Sequence, residues 1–149
     1  MARTKSWDTE AFRGEVEALC RARNPLIYVV THEEDRVLAE LRAVGEKLIK
    51  TVVYWSASKG IWTDTPHEIS RQKSHAHSDL AVALEVFEQH AERDPGMLFI
   101  LLDPHPYLVD KNVSPIYRRR LRDLAIGIRT RNYACNCIIV SPSLSIPYE

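Results

Sequence analysis

No stretch of the 149-residue chain stays apolar for the roughly 20 residues that a membrane helix needs, so a protein that works off the membrane is expected. Nor is there an excess of charge of one sign. Lys and Arg (20) balance Asp and Glu (20), which argues against chain-wide attraction to nucleic acid or anionic lipid and makes any charge effect local. Cysteine is scarce. The three present, Cys20, Cys135 and Cys137, are an odd number, and the last two are expected to point to opposite faces of one strand; neither disulfides nor a zinc site is expected. Met1 to Trp7 carries two basic residues with no apolar stretch behind them, so neither a secretory signal nor a lipidation motif is read there, and the cytoplasm is the expected compartment.

What remains is an ordinary globular composition, 45% hydrophobic and 27% charged. The length suits one domain that buries roughly 70% of the surface its unfolded chain exposes. Residues 8–22 space Phe12, Val16 and Leu19 as one helical stripe, and Asn24-Pro25 ends it. Leu26-Ile27-Tyr28-Val29-Val30 is short and does not alternate, as in a strand covered on both faces. Val37, Leu41, Val44 and Leu48 mark a second helix, followed at once by a strand over Thr51 to Ser56, which completes a βαβ unit. Thr63 to Ser78 is polar, lacks periodicity and carries three of the six histidines, so it reads as a long mobile loop.

Asp79 is placed to cap a helix with the stripe Leu80, Leu84, Phe87 and Ala91. After a turn at Asp94-Pro95-Gly96, Met97 to Leu102 is the most apolar segment, is expected to be a central strand, and ends at Asp103. Ser114-Pro115 opens a last helix with the stripe Tyr117, Leu121, Leu124 and Ile128, and Cys137 to Pro142 closes the chain as a strand. Alternation of this kind predicts a three-layer α/β domain with a mainly parallel sheet. The expected layout is similar to that of a degenerate P-loop NTPase, RecA- or AAA-like, without a Walker A motif.

In open parallel sheets ligands sit beyond the carboxyl ends of the strands. After the first strand, where a nucleotide-binding domain carries a glycine-rich loop ending in Lys and Ser or Thr, the chain has Thr31-His32-Glu33-Glu34-Asp35, with neither glycine nor lysine. Thr31-x-x-Glu34 is a capping-box pattern, and a phosphate there would meet three negative charges. After the central strand, Asp103 has the position of a Walker B carboxylate, or simply of a turn-capping acid. His105, between two prolines, reads as an exposed turn residue that packs or hydrogen-bonds. Ser141 follows the last strand, where related ATPases keep a phosphate-sensing polar residue, and also reads as a turn former. His75 and His77, with His67 nearby, lack ligands at a fixed metal spacing. The last helix is the one asymmetric patch: Arg118, Arg119, Arg120, Arg122, Arg129 and Arg131 face a single acid, Asp123, with Arg118, Arg122 and Arg129 in line. Such a row is either a solvated face or a dock for an acidic partner, a phosphate or another subunit.

The run Asn24 to Val37 resembles the "PLIYIVTxEExRV" opening of the AAA-type ATPases encoded in chloroplast genomes and cyanobacteria. Tyr54-Trp55-Ser56 with Gly60-Ile61 is similar to that family's "WSxxxGL", Asp103 to Leu108 to its "DxHPYL", Arg119 to Ala125 to its "RRLRDLA", and Ile138 to Pro147 to its "IIxLSPxxxIPxEL". The resemblance implies a noncatalytic N-terminal domain, in the bacterial cytoplasm or the stroma, that uses Asp103, His105 and the arginine helix to contact an AAA ring or a client protein. ATP and magnesium are then expected only for an AAA module absent from this sequence, and homo-oligomerisation is left open. The rival readings are a small nucleotide- or nucleic-acid-binding domain built on the arginine helix and, more remotely, a metal-dependent hydrolase built on His75, His77, His105 and Asp103.

Overall fold

Parallel strands need crossover connections, and the chain supplies them by alternating short β-branched runs with amphipathic helices. The computed structural model describes residues 8–65, 69, 78–94, 96–109, 112–131 and 133–142. In chain order these form α1 (Thr9–Arg21), β1 (Leu26–Val30), α2 (Glu34–Lys47), β2 (Thr51–Ser56), β3 (Gly60–Thr63), α3 (Leu80–Arg93), β4 (Met97–Leu102), α4 (His105–Val109), α5 (Ile116–Thr130) and β5 (Asn136–Ser141). The sheet has five strands in the order β1-β5-β4-β2-β3. Four of them run parallel, and β3 alone returns antiparallel beside β2. The expected α/β class and mainly parallel sheet are thus observed.

Two apolar layers flank the sheet. On one face α1 and α2 bury Phe12, Val16, Val37 and Leu41 against Ile27, Tyr54, Ile100 and Ile138. On the other, α3 and α5 bury Leu84, Phe87, Leu121 and Leu124 against Trp55, Phe99, Cys137 and Ile139. Phe87 and Phe99 stack with centroids 4.5 Å apart. β4 is central, as expected, and all six of its side chains are buried. Covering an apolar side chain of this size contributes roughly 1.5–3 kcal/mol. Asp79 Oδ1 accepts from the Ala81 amide at 2.8 Å, which caps α3 as its position implies.

Four readings need correction. β1 lies at the edge of the sheet and is covered unequally on its two faces: Ile27 and Val29 are buried on one, whereas on the other Leu26 is exposed and Tyr28 and Val30 are half-buried. A five-residue apolar run suits either position, and the crossovers decide between them. Second, Gly60 to Thr63 forms a hairpin strand that four residues of mixed character did not announce; Gly60, at φ 71°, makes the turn. Third, His105 begins the short helix α4. Fourth, Cys135 and Cys137 belong to the same buried cluster, because residues two apart on extended backbone share a face. All three cysteines are buried free thiols, and burial pushes Cys137 up to about 12. The reading of Thr63 to Ser78 as a mobile loop rests mainly on residues outside the described ones.

Two positions show how the backbone is constrained where helices end. Ile49 is 90% exposed yet sits at φ 56°, a left-handed conformation that costs a β-branched residue about 1–2 kcal/mol. Ile49→Gly should therefore stabilise the domain by about 1 kcal/mol in urea unfolding, with no burial lost. Gly45 is the opposite case. A Cβ there would lie 2.4 Å from Val52 Cγ2, whose β-branched side chain has little rotamer freedom. Gly45→Ala should lower the urea midpoint by the equivalent of about 1–3 kcal/mol, even though Ala is the better helix former.

Candidate functional site

The tips of β1, β5 and β4 are tied together at their carboxyl ends. The Thr31 amide donates to Ser141 O at 2.9 Å, and the Asp103 amide donates to Val140 O at 2.9 Å. These bonds bring Thr31, Ser141 and Asp103 to one edge. Asp103 is exposed and held at φ 49°, a conformation Asp tolerates better than most residues. His105, half-buried in the first turn of α4, sets Nδ1 3.3 Å from Ser141 Oγ.

The capping box does not form. Thr31 Oγ1 accepts from the Glu33 amide at 2.9 Å, closing a local turn, and the helix begins three residues after Thr31 with Glu33 at its cap. Thr31 therefore lies two residues before the cap position and does not reach the free amides of α2. Glu34 and Asp35 occupy the first turn, where carboxylates complement the helix dipole. His32 and Glu33 are exposed, and Glu33 pairs with Arg36 at 3.6 Å. Glu34 is half-buried; burial, and then the charges of Asp103 and Asp35, push its carboxyl above the usual range, against the pull of Lys59. This end of the sheet is acidic and has no backbone cradle of the glycine-rich kind.

α4 links this edge to the arginine helix. The Tyr107 ring packs on Tyr117 of α5 at 4.9 Å, and Tyr117 Oη donates to Asp79 Oδ2 at 3.1 Å. Along α5, Leu121, Leu124 and Ile128 face the core, which leaves the arginines on the outer surface. Arg119 pairs with Asp123 at 3.0 Å, Arg120 reaches Glu85 at 3.8 Å, and Arg131 pairs with Glu92. Among the described residues, no carboxylate lies within 4 Å of Arg118, Arg122 or Arg129. Arg122 and Arg129 are exposed and Arg118 is half-buried.

His67, His75 and His77 fall outside the described residues, and among those described no group of three or more His, Cys, Asp or Glu is placed to hold a metal ion. No described helix is long and apolar enough to cross a membrane. At the opposite end of the sheet, which no sequence motif marks, Arg23, Lys50 and Asn136 line a cavity. A lysine immediately before a strand was the only signal in the sequence, and it is a weak one.

The model of the SpoVK-like AAA ATPase N-terminal domain matches residues 12–149. The chain belongs to this family. The domain is 30% identical over 138 residues to the "Uncharacterized AAA domain-containing protein ycf46" of Guillardia theta, covering 92% of this chain and 25% of that protein. To the protein of the same description in Trieres chinensis it is 30% identical over 139 residues, 93% of this chain and 26% of the relative. The chain thus spans about a quarter of the length of these relatives. No solved structure matches it.

For this SpoVK-like domain the raised Glu34 value sets the sign of a pH effect. A carboxyl whose folded-state value is raised favours the fold while protonated, and that contribution is lost as pH rises through the folded-state value. Glu34→Gln should therefore melt at a higher temperature than wild type at pH 7, and the difference should vanish below about pH 4, where both side chains are neutral. Equal melting at both pH values would show that Glu34 is not opposed by its neighbours.

Proposed function

We propose that this domain is a noncatalytic binding and assembly module of an AAA-type ATPase, and that α5 docks it on an acidic surface of the AAA ring or of a client protein. The observation that carries the proposal is the row Arg118, Arg122 and Arg129, without carboxylate partners among the described residues, on a helix whose adjoining face is fixed in the core. A guanidinium is weakly hydrated and binds carboxylates bidentately, so an unpaired row of three suits protein docking better than a row of lysines would. Asp103 and His105 border the docking face through α4, which touches both the strand tips and the first turn of α5. The membership of the chain in an AAA ATPase N-terminal family gives the module its setting.

Nucleotide or nucleic-acid binding on the arginine helix is the rival reading; the usual triphosphate position at the first turn of α2 is disfavoured, since a triphosphate there would face Glu34 and Asp35 with no lysine from a phosphate loop. Titration calorimetry with magnesium and ATP on this chain is expected to give no heat of binding. Biolayer interferometry against an AAA module of the same family should show association that weakens with salt. The triple variant R118E/R122E/R129E should weaken it by about a hundredfold, since like-charge juxtaposition across an interface costs several kcal/mol. Association that survives this variant at full strength, or binding of ATP, overturns the proposal.

A further inference from the structure

A cavity of about 280 Å³ opens at the amino ends of the strands, between the last turns of α1 and α2 and the start of β5. It lies at the end of the sheet opposite to Asp103 and His105. Its lining includes three cationic side chains, Arg21, Arg23 and Lys50, and no acidic one. Arg21 is neutralised by Glu17 at 3.0 Å. Lys50 is not. Its ammonium donates to Asn136 Oδ1 at 2.7 Å, a neutral amide, and Asn136 is fixed in turn by donating to Asn24 O at 2.8 Å. Asn136 is buried, which makes it a rigid wall of the cavity.

Cations near helix carboxyl ends usually cap free carbonyls. Here the main chain already does so. The amides of Ala22, Arg23 and Asn24 bond the carbonyls of Ala18, Cys20 and Leu19, and those of Leu48, Ile49 and Lys50 bond the carbonyls of Val44, Glu46 and Gly45. Lys50 is therefore not used as a cap. Burial, with a smaller push from the Arg23 charge, holds its ammonium below the ordinary lysine value, as expected for a charge with no carboxylate partner among the described residues. Arg23 takes φ 60°, at the position after a helix where glycine is usual, so a long cationic side chain is kept on the cavity wall in a conformation that disfavours it.

We propose that this cavity binds the phosphate group of a small metabolite, with Lys50 as its main charge partner, Arg23 as the second and the Asn136 amide as the fixed polar wall. The volume lies just below the range of drug-sized pockets, which fits a compact ligand and not a dinucleotide. A phosphate would supply the anion that Lys50 lacks, through short charge-assisted hydrogen bonds. The site is independent of the docking face on α5, so each can fail without the other.

The test uses inorganic phosphate and a sugar monophosphate as probes, each against sodium chloride at equal ionic strength, read by thermal unfolding and by ¹H–¹⁵N NMR of the Asn136 side-chain amide. At least one probe is expected to raise the melting temperature and shift that amide, and the stronger probe tells free phosphate from an organic ester. Lys50→Gln should weaken binding by about tenfold or more, as for loss of one charge-assisted hydrogen bond. Arg23→Gly relieves the left-handed strain, so it should melt at or above the wild-type temperature in chloride while binding phosphate about threefold or more weakly. That combination separates a binding role from a folding role. R118E/R122E/R129E should bind phosphate as wild type does. Probes that do no more than chloride, wild-type binding by both cavity variants, or loss of binding in the α5 variant would each overturn the assignment.

Discussion

β4 is surrounded on every side: β5 and β2 pair with its edges, α1 and α2 cover one face, and α3 and α5 cover the other. Its six apolar side chains have no route to water, and its backbone groups must be satisfied by the neighbouring strands. That requirement dictates the rest of the architecture. Both helical layers must be apolar on their inner faces, β2 and β5 must lie parallel at matching register, and whatever polar chemistry the domain has is displaced to the two ends of the sheet and to the outer faces of the helices.

The two ends acquire opposite character for a common reason. Crossover helices in a parallel sheet direct their amino ends towards the carboxyl tips of the strands, and their carboxyl ends towards the amino tips. Acids of α2 collect at the first end, where burial and the charge of Asp103 disfavour the ionised form of Glu34. Cations Arg23 and Lys50 collect at the second, beside a cavity. In a nucleotide-binding version of this layout the first end would receive the anion. Here Glu34 and Asp35 occupy that place, so an incoming phosphate finds its complement at the amino tips instead.

The outer surface of α5 adds a third polar region, joined to the carboxyl end through the tyrosine contacts of α4. Arginines that pair locally, as Arg119 does with Asp123, only fix the helix surface, whereas those left over give it a net field. With total charge balanced over the chain, such a field exists only because the acids lie elsewhere.

Much of this was legible from periodicity. The stripes of α2, α3 and α5, the Asp79 cap and the central placement of Met97 to Leu102 all follow from side-chain spacing, which is a local property of the chain and survives without knowledge of neighbours. The row Arg118, Arg122 and Arg129 was legible for the same reason, since helix geometry alone aligns it. The edge position of β1, the β3 hairpin, the failed capping box at Thr31, the approach of Glu34 to Asp103 and the cavity under Lys50 were not. Each depends on residues far apart in sequence being brought together by the crossovers, as with Lys50 and Asn136, 86 positions apart. What the sequence by itself determined is the set of elements and their inward faces, because apolar burial reads the period of the backbone. The partners of the polar groups were decided only by the tertiary structure, because hydrogen bonds and charges act over a few ångströms, and those distances exist only once the strands have taken their order.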